Sequence, residues 1–186
     1  MPTPTTLLQR LQAATFRKSI DELAELICNQ QFTLVDLLML TCYPDNNIAF
    51  RACWLLEALI LKHADKYTAH YSSIIACGGR IKCHSCQRHY AKVYRHITDK
   101  KVTKKIQFEL RDTDLEPVIE ECFDWLLNPK VKVAVKAFAS QALYNLADRQ
   151  PWIAAELQHQ LEILMINGSP GIQSVGRRLL SAMTTG

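Results

Sequence analysis

Apolar side chains at Ile48, Ala52, Leu55, Leu56 and Leu59 stand at offsets of 0, 4, 7, 8 and 11, a single stripe at the 3.6-residue helical period. The same offsets recur at Val131, Val135, Phe138, Ala139 and Ala142, and again at Ile172, Gly176, Leu179, Leu180 and Met183. A further copy reads Cys86, Tyr90, Val93, Tyr94 and Ile97. The starts at 48, 86, 131 and 172 lie 38, 45 and 41 residues apart. That interval is the length of a repeating two-helix unit, which buries its stripe only against its neighbours.

Cap chemistry supports the register. Asp45, Asn128 and Ser169 stand three residues before three of the starts and are good N-cap types. Pro129 and Pro170 follow two of them, at the first helical position where a missing N–H is harmless. Cys83 occupies the equivalent position in the remaining copy, which predicts an earlier helix start there, near Gly79.

Each of these helices has an amphipathic predecessor. Leu115, Val118, Ile119, Cys122 and Leu126 form one stripe, headed by the capping-box pattern Thr113-Asp-Leu-Glu116. Ile153, Leu157, Leu161 and Leu164 form another behind Pro151. Segments 32–42 and 65–77 supply two more, the second ended by Gly78-Gly79. Ser19 to Gln30 reads as a further helix with Ser19 and Glu22 as a capping box, and Leu7, Leu8 and Leu11 predict a short docked helix before it. Residues 99–111 fit less well: Ile106, Phe108 and Leu110 alternate, which predicts a connection between repeats.

The prediction is an all-α chain, an α-α superhelix of about four to five helix pairs in one domain spanning residues 1–186. The repeats fall at about 17–30 with the N-terminal helix, then 31–63, 64–98, 112–148 and 150–184. Six glycines and seven prolines are few for a β fold rich in tight turns. The strings IAFRACWLLE (48–57) and VKVAVKAFASQALYNLADRQP (131–151) resemble second helices of HEAT-type units, and Asn128 to Ala137 is the most HEAT-like stretch. The resemblance, to HEAT and armadillo solenoids, covers roughly residues 17–184. The whole chain is similar to a group of small bacterial HEAT-like proteins labelled "adenylosuccinate lyase-like". True lyases of that kind carry a Ser-rich loop of the S-S-x-M-P-x-K-x-N type. The nearest match here, Gly168-Ser-Pro-Gly171, is cap chemistry, so the lyase activity is not transferred.

Charge changes the picture more than composition does. Between Arg80 and Lys105 stand nine Lys and Arg against one acid, Asp99, a local balance of +8 within a chain of net charge +4. The remainder is therefore acidic by four. On a helical wheel Arg88, Lys92 and Arg95 lie opposite the apolar stripe, flanked by His84, His89 and His96, and Lys100, Lys101, Lys104 and Lys105 follow. Such a stripe suits an acidic protein surface or the phosphates of nucleic acid; its alternative is a solvated helix face.

Cys83-His-Ser-Cys86 with His89 has part of the spacing of a zinc site. Cys83 and Cys86 fall on the buried stripe, however, and a closed four-cysteine site needs a second such pair, so core packing is the preferred reading. Seven cysteines with no secretion signal at the N-terminus predict a reducing, cytoplasmic setting. No stretch has the length of a membrane span. The chain has no P-loop, dinucleotide fingerprint, H-E-x-x-H or nucleophile elbow, and neither a cofactor nor a metal is expected. The reading that follows is a non-catalytic module that binds a protein partner through a concave, partly basic surface. Nucleic-acid binding of the DNA alkylation-repair type is the rival, and a lyase the third.

Overall fold

The computed structural model describes residues 4–81 and 83–184. Among them are eleven α-helices: α1 (Pro4–Ala13), α2 (Arg17–Cys28), α3 (Leu34–Thr41), α4 (Asn46–His63), α5 (Tyr71–Gly78), α6 (His84–Ile97), α7 (Lys104–Asp112), α8 (Glu116–Leu127), α9 (Val133–Leu146), α10 (Pro151–Ile166) and α11 (Pro170–Thr184). A 3-10 segment, Ala64–His70, joins α4 to α5. No strand occurs among the described residues. Met1 to Thr3 of the predicted N-terminal segment and Lys82 of the basic stretch lie outside them.

The helices stack in rows. One row runs α4, α6, α9, α11, each packed on the next; along the other side α3 meets α5 and α5 meets α8. Within pairs, α2 and α3 pack on α4, α8 on α9, and α10 on both α9 and α11. The repeating stripe is the reason. Ile48, Ala52, Leu55, Leu56 and Leu59 are buried, as are Cys86, Tyr90, Val93, Tyr94 and Ile97. Val131, just before α9, and Val135, Ala139 and Ala142 within it are buried and Phe138 is half-buried; in α11, Ile172, Gly176 and Leu179 are buried. The solution is an α-α solenoid in which each stripe is covered by adjacent helices. At the N-terminus α1 packs on α3 and α4 with Leu7 and Leu11 buried.

Helix boundaries depart from the sequence reading in five places, each for a local reason. α6 begins at His84 with Cys83 as its N-cap, so the register at Cys83 is right and the earlier start near Gly79 is wrong; Gly79 instead closes α5. Asn128 does not cap α9. Its side-chain oxygen accepts from the Lys130 N–H at 2.9 Å, closing an Asx turn that delays the helix to Val133. Thr113 belongs to the end of α7, donating its hydroxyl to the Glu109 carbonyl at 2.9 Å, and α8 starts behind Leu115 with no side-chain cap. Ser19 lies inside α2, which starts at Arg17 behind Phe16. The reciprocal capping box instead joins Thr33 and Asp36 at the head of α3. Residues 104–112 form α7 rather than a connection. Thr103 caps it by accepting from the Ile106 N–H, and Ile106 and Leu110, one turn apart, are the buried pair. Phe108 broke the helical pattern because it faces solvent, where Arg111 lies over its ring at 4.6 Å.

Cations recur at the carbonyl ends of helices, where backbone acceptors have no intrahelical partner and the dipole is negative. Arg51 donates to the carbonyls of Leu11, at 3.1 Å, and Gln12, at 2.7 Å, at the end of α1. Lys66 donates to the Cys28 carbonyl at the end of α2, and Arg149 to the Leu110 carbonyl near the end of α7. Lys136, buried in α9, donates to the Leu126 carbonyl of α8 at 2.7 Å; burial pulls its ammonium below the ordinary lysine range. These bonds fasten one helix to another while satisfying acceptors that burial would otherwise penalise. Arg51→Met is expected to destabilise the fold by about 1–3 kcal/mol, the scale of hydrogen bonds to a charged donor. Calorimetry should then show Tm lowered by roughly 2–4 °C for each kcal/mol; an unchanged Tm would mean that water caps α1 equally well.

Candidate functional site

α6 is the centre of the described molecule, lying between α4 and α9. Its apolar residues pack inward. At its C-terminus the Thr98 hydroxyl donates to the Tyr94 carbonyl at 2.8 Å and closes the last turn. The face turned from the stripe carries Arg88, Lys92 and Arg95, at i, i+4 and i+7, so they stack along one side of the helix.

The three do not behave alike. Arg88 and Arg95 are exposed, and among the described residues Arg88 has no ion-pair partner. Lys92 is half-buried and reaches inward, donating from Nζ to Glu57 Oε1 at 2.6 Å. Glu57, on α4, is only 5% exposed. His89 completes the group: Nδ1 lies 2.5 Å from Glu57 Oε2 and the ring is buried. His89 Nε2 is buried with no hydrogen-bond partner, and the assignment that strands no buried N–H puts the proton on Nδ1, donating to Glu57. Burial pushes the Glu57 carboxyl up, but the bonds from His89 and Lys92 outweigh it and hold it below the ordinary carboxylate range.

Aromatic rings close round this triad. Phe50 meets the His89 ring edge-on at 5.0 Å and Trp54 stacks on it at 6.5 Å. On the α9 side, the half-buried Phe138 ring lies under both Arg95, at 5.3 Å, and Lys92, at 5.7 Å. The face thus sets Lys92 and Arg95 over the Phe138 ring and anchors Lys92 on one buried acid. Trp125 is buried against Tyr94 instead, at 6.0 Å, and Trp152 is exposed but stacked on Phe123 at 5.6 Å.

The remaining predicted residues are scattered around α6 and the segment after it. His84 is exposed, 3.3 Å from Gln87. His96 is half-buried, and burial lowers its pKa. Lys100 pairs with Asp148, and Lys105 donates to the Asp65 carbonyl at 2.7 Å. Lys101 and Lys104 are exposed. His89, expected to flank the basic face, is a core residue: its ring turns inward to the buried Glu57 carboxylate, beside Phe50 and Trp54. Cys83, Cys86 and His89 do not converge: Cys86 sits in the stripe beside Cys53, Cys83 caps the helix, and His89 turns to Glu57. Among the described residues no cluster of three or more His, Cys, Asp or Glu is arranged to hold a metal ion.

Two acids escaped the sequence reading. Glu57 carried a signal, since an acid within a ten-residue apolar run must find a partner. Glu121 carried none. It accepts the Tyr94 hydroxyl at 2.7 Å, and burial raises its carboxyl to about 7. The Tyr94 hydroxyl reaches it beside Gly78, where a Cβ would lie 1.7 Å from the phenol oxygen; only glycine leaves that passage.

Both acids give pH-dependent expectations. The lowered Glu57 contributes stability above the unfolded carboxylate value of about 4.3 and loses it as pH falls through its lower folded value. Glu57→Gln, which leaves Lys92 without a countercharge, is expected to destabilise by about 3 kcal/mol at neutral pH. The Tm gap to the parent should close below about pH 4; a gap independent of pH would refute the pairing. Glu121 works in the opposite sense. Its stability is full below about pH 4.3 and is lost as pH rises through about 7. Glu121→Gln, still able to accept from Tyr94, should therefore melt above the parent at pH 8 and level with it near pH 4, in the same thermal-melt series.

These features, a helix-pair stack with one charged face on its central helix, have a counterpart among known families. The sequence model of a family described as HEAT repeat domain matches residues 7–183. Neither a curated protein nor a solved structure matches the chain. No helix of the described residues is long and apolar enough to cross a membrane. With nearly its whole length matched and every repeat stripe packed as such units require, the chain belongs to the HEAT repeat domain family.

Proposed function

We propose that the chain is a non-catalytic interaction module that binds an acidic segment of a protein partner across the α4–α6–α9 face, with Arg88 and Arg95 as its principal contacts. The observation that carries this reading is the division of labour on α6. Lys92 is committed to Glu57, whereas Arg88 and Arg95 point outward, seven residues and so about 10 Å apart along the helix. A guanidinium over an aromatic ring is held in place, so less freedom is lost when a carboxylate docks against it.

The lysines after α6 support an anionic partner by a separate argument. Lys104 and Lys105 occupy the first turn of α7, which holds no acid. Cations there oppose the helix dipole, at a cost of about 0.3–1 kcal/mol each. Lys105 is relieved by the Asp65 carbonyl; Lys104 is exposed and gains nothing from its position within the fold. A bound carboxylate would reverse that penalty.

Nucleic acid is the weaker reading. Stacking on bases requires rings open to solvent, while Phe50 and Trp54 are folded against His89 and Glu57 is already engaged.

The test uses a fluorescein-labelled Glu/Asp-rich peptide and, beside it, labelled duplex and single-stranded oligonucleotides, at low and moderate salt. Arg88→Glu/Arg95→Glu is expected to weaken peptide binding at least tenfold while leaving Tm unchanged, because neither residue supports the core. Lys92 is left intact, since reversing it would set two acids together in the interior. Peptide binding that survives the double reversal overturns the assignment. Tighter oligonucleotide binding with a steep salt dependence would hand the face to nucleic acid.

A further inference from the structure

Cys83-His-Ser-Cys86 takes no part in the basic face, yet its geometry is specific. Cys83 is the N-cap of α6, with extended backbone at φ −73° and ψ 116°, and its side chain makes no capping bond. Cys86 stands three residues on, its N–H bonded to the Cys83 carbonyl at 2.9 Å. N-cap and N3 are the two positions whose side chains meet across the first turn of a helix. Residues so related have Cα atoms within the range of about 4.4–6.8 Å that a disulfide spans.

Access is unequal. Cys86 and Cys53 are fully buried, but Cys83 is half-buried and lines a cavity of about 230 Å³ together with Thr41, Asn46 and Arg80. A reagent can therefore reach one thiol of the pair and not the other. All seven cysteines are free thiols.

We propose that Cys83 and Cys86 form a thiol–disulfide exchange site, with Cys83 as the entry thiol, Cys86 as the resolving thiol and a low-molecular-weight disulfide as oxidant. Cys83 gives up its proton and attacks one sulfur of the disulfide RSSR. A Cys83–SR bond forms, the S–S bond of RSSR breaks, and the departing RS⁻ takes up the proton. Cys86, deprotonated in turn, attacks the Cys83 sulfur and expels the second RS⁻, which is protonated to RSH. Two protein thiols are oxidised to one disulfide, and one RSSR is reduced to two RSH. A dithiol reductant reverses both steps.

The resolving role suits Cys86. The neighbouring thiols of Cys53 and Cys83 pull its pKa below the ordinary thiol value, against the opposing effect of burial. Cys53 itself is pushed well up by burial, and its thiol donates to the Thr41 carbonyl at 3.9 Å.

The test treats the full chain with glutathione disulfide, quenches with acid, blocks remaining thiols and maps the tryptic peptides. Residues 83–88 form one such peptide, which holds both cysteines of the pair and no others. Its expected state is an internal disulfide, lighter by two hydrogens, with five of the seven thiols still open to alkylation and all seven restored by dithiothreitol. Cys86→Ser should stop at the first step and keep one glutathione on Cys83. Cys83→Ser, a change at a half-buried position that spares the core, should take up neither modification on this peptide. The inference fails if peptide 83–88 stays fully alkylated after treatment. It fails equally if the bridge formed joins that peptide to the one bearing Cys53.

Discussion

Every helix of the row α4, α6, α9, α11 has more apolar surface than its own partner can cover, and only its neighbours in the row can cover the rest. That constraint shapes the remainder. It sets α6 between α4 and α9, flanked on both sides, so that eight of its fourteen residues are buried. It also means that the residues of α6 turned away from its stripe emerge between two other helices, where a side chain meets both α4 and α9. Lys92 does this most plainly, with its ammonium on Glu57 of one and near Phe138 of the other.

The basic character of the chain is divided between two tasks. Arg51, Lys66, Lys136 and Arg149 turn inward or across to carbonyl ends, and Lys92 neutralises a buried carboxylate. Arg88, Arg95, Lys101 and Lys104 face solvent. A count of charges over residues 80–105 puts Lys92 in one patch with Arg88, Arg95, Lys101 and Lys104. The fold separates them, because a lysine stem is long enough to carry its charge either to water or to a buried acceptor. Surface pairing adds a third fate, as in Lys62 with Glu25, where the exposed geometry contributes little.

The stack was legible in the sequence because its cause is periodic. The stripes at 48, 86, 131 and 172 recur with identical offsets, and burial follows them nearly residue for residue. Caps were less legible, since Asn128, Thr113 and Ser19 are equally suited to Asx turns, helix ends and helix interiors facing water. α7 was hidden by Phe108, one exposed ring that turned an i, i+4 pair into apparent alternation. At the site, Arg88 and Arg95 could be placed on the outer face by helical geometry alone. The inward turn of Lys92 and His89 could not, because it depends on Glu57, 35 and 32 residues earlier, lying opposite them across a helix interface. Glu121 depends in the same way on a tyrosine 27 residues away.

The cationic bonds to helix ends have a consequence for the growing chain. Arg51 follows the Leu11 carbonyl by 40 residues, Lys66 follows Cys28 by 38, and Arg149 follows Leu110 by 39. In each case the donor is made after the acceptor, and by nearly one repeat length. At synthesis rates of about 5–20 residues per second, each of these helix ends waits roughly 2–8 s for its cation. Until then its last turn is free to fray. These three helix ends are thus completed in the direction of translation, by cations that lie some 40 residues further along the chain.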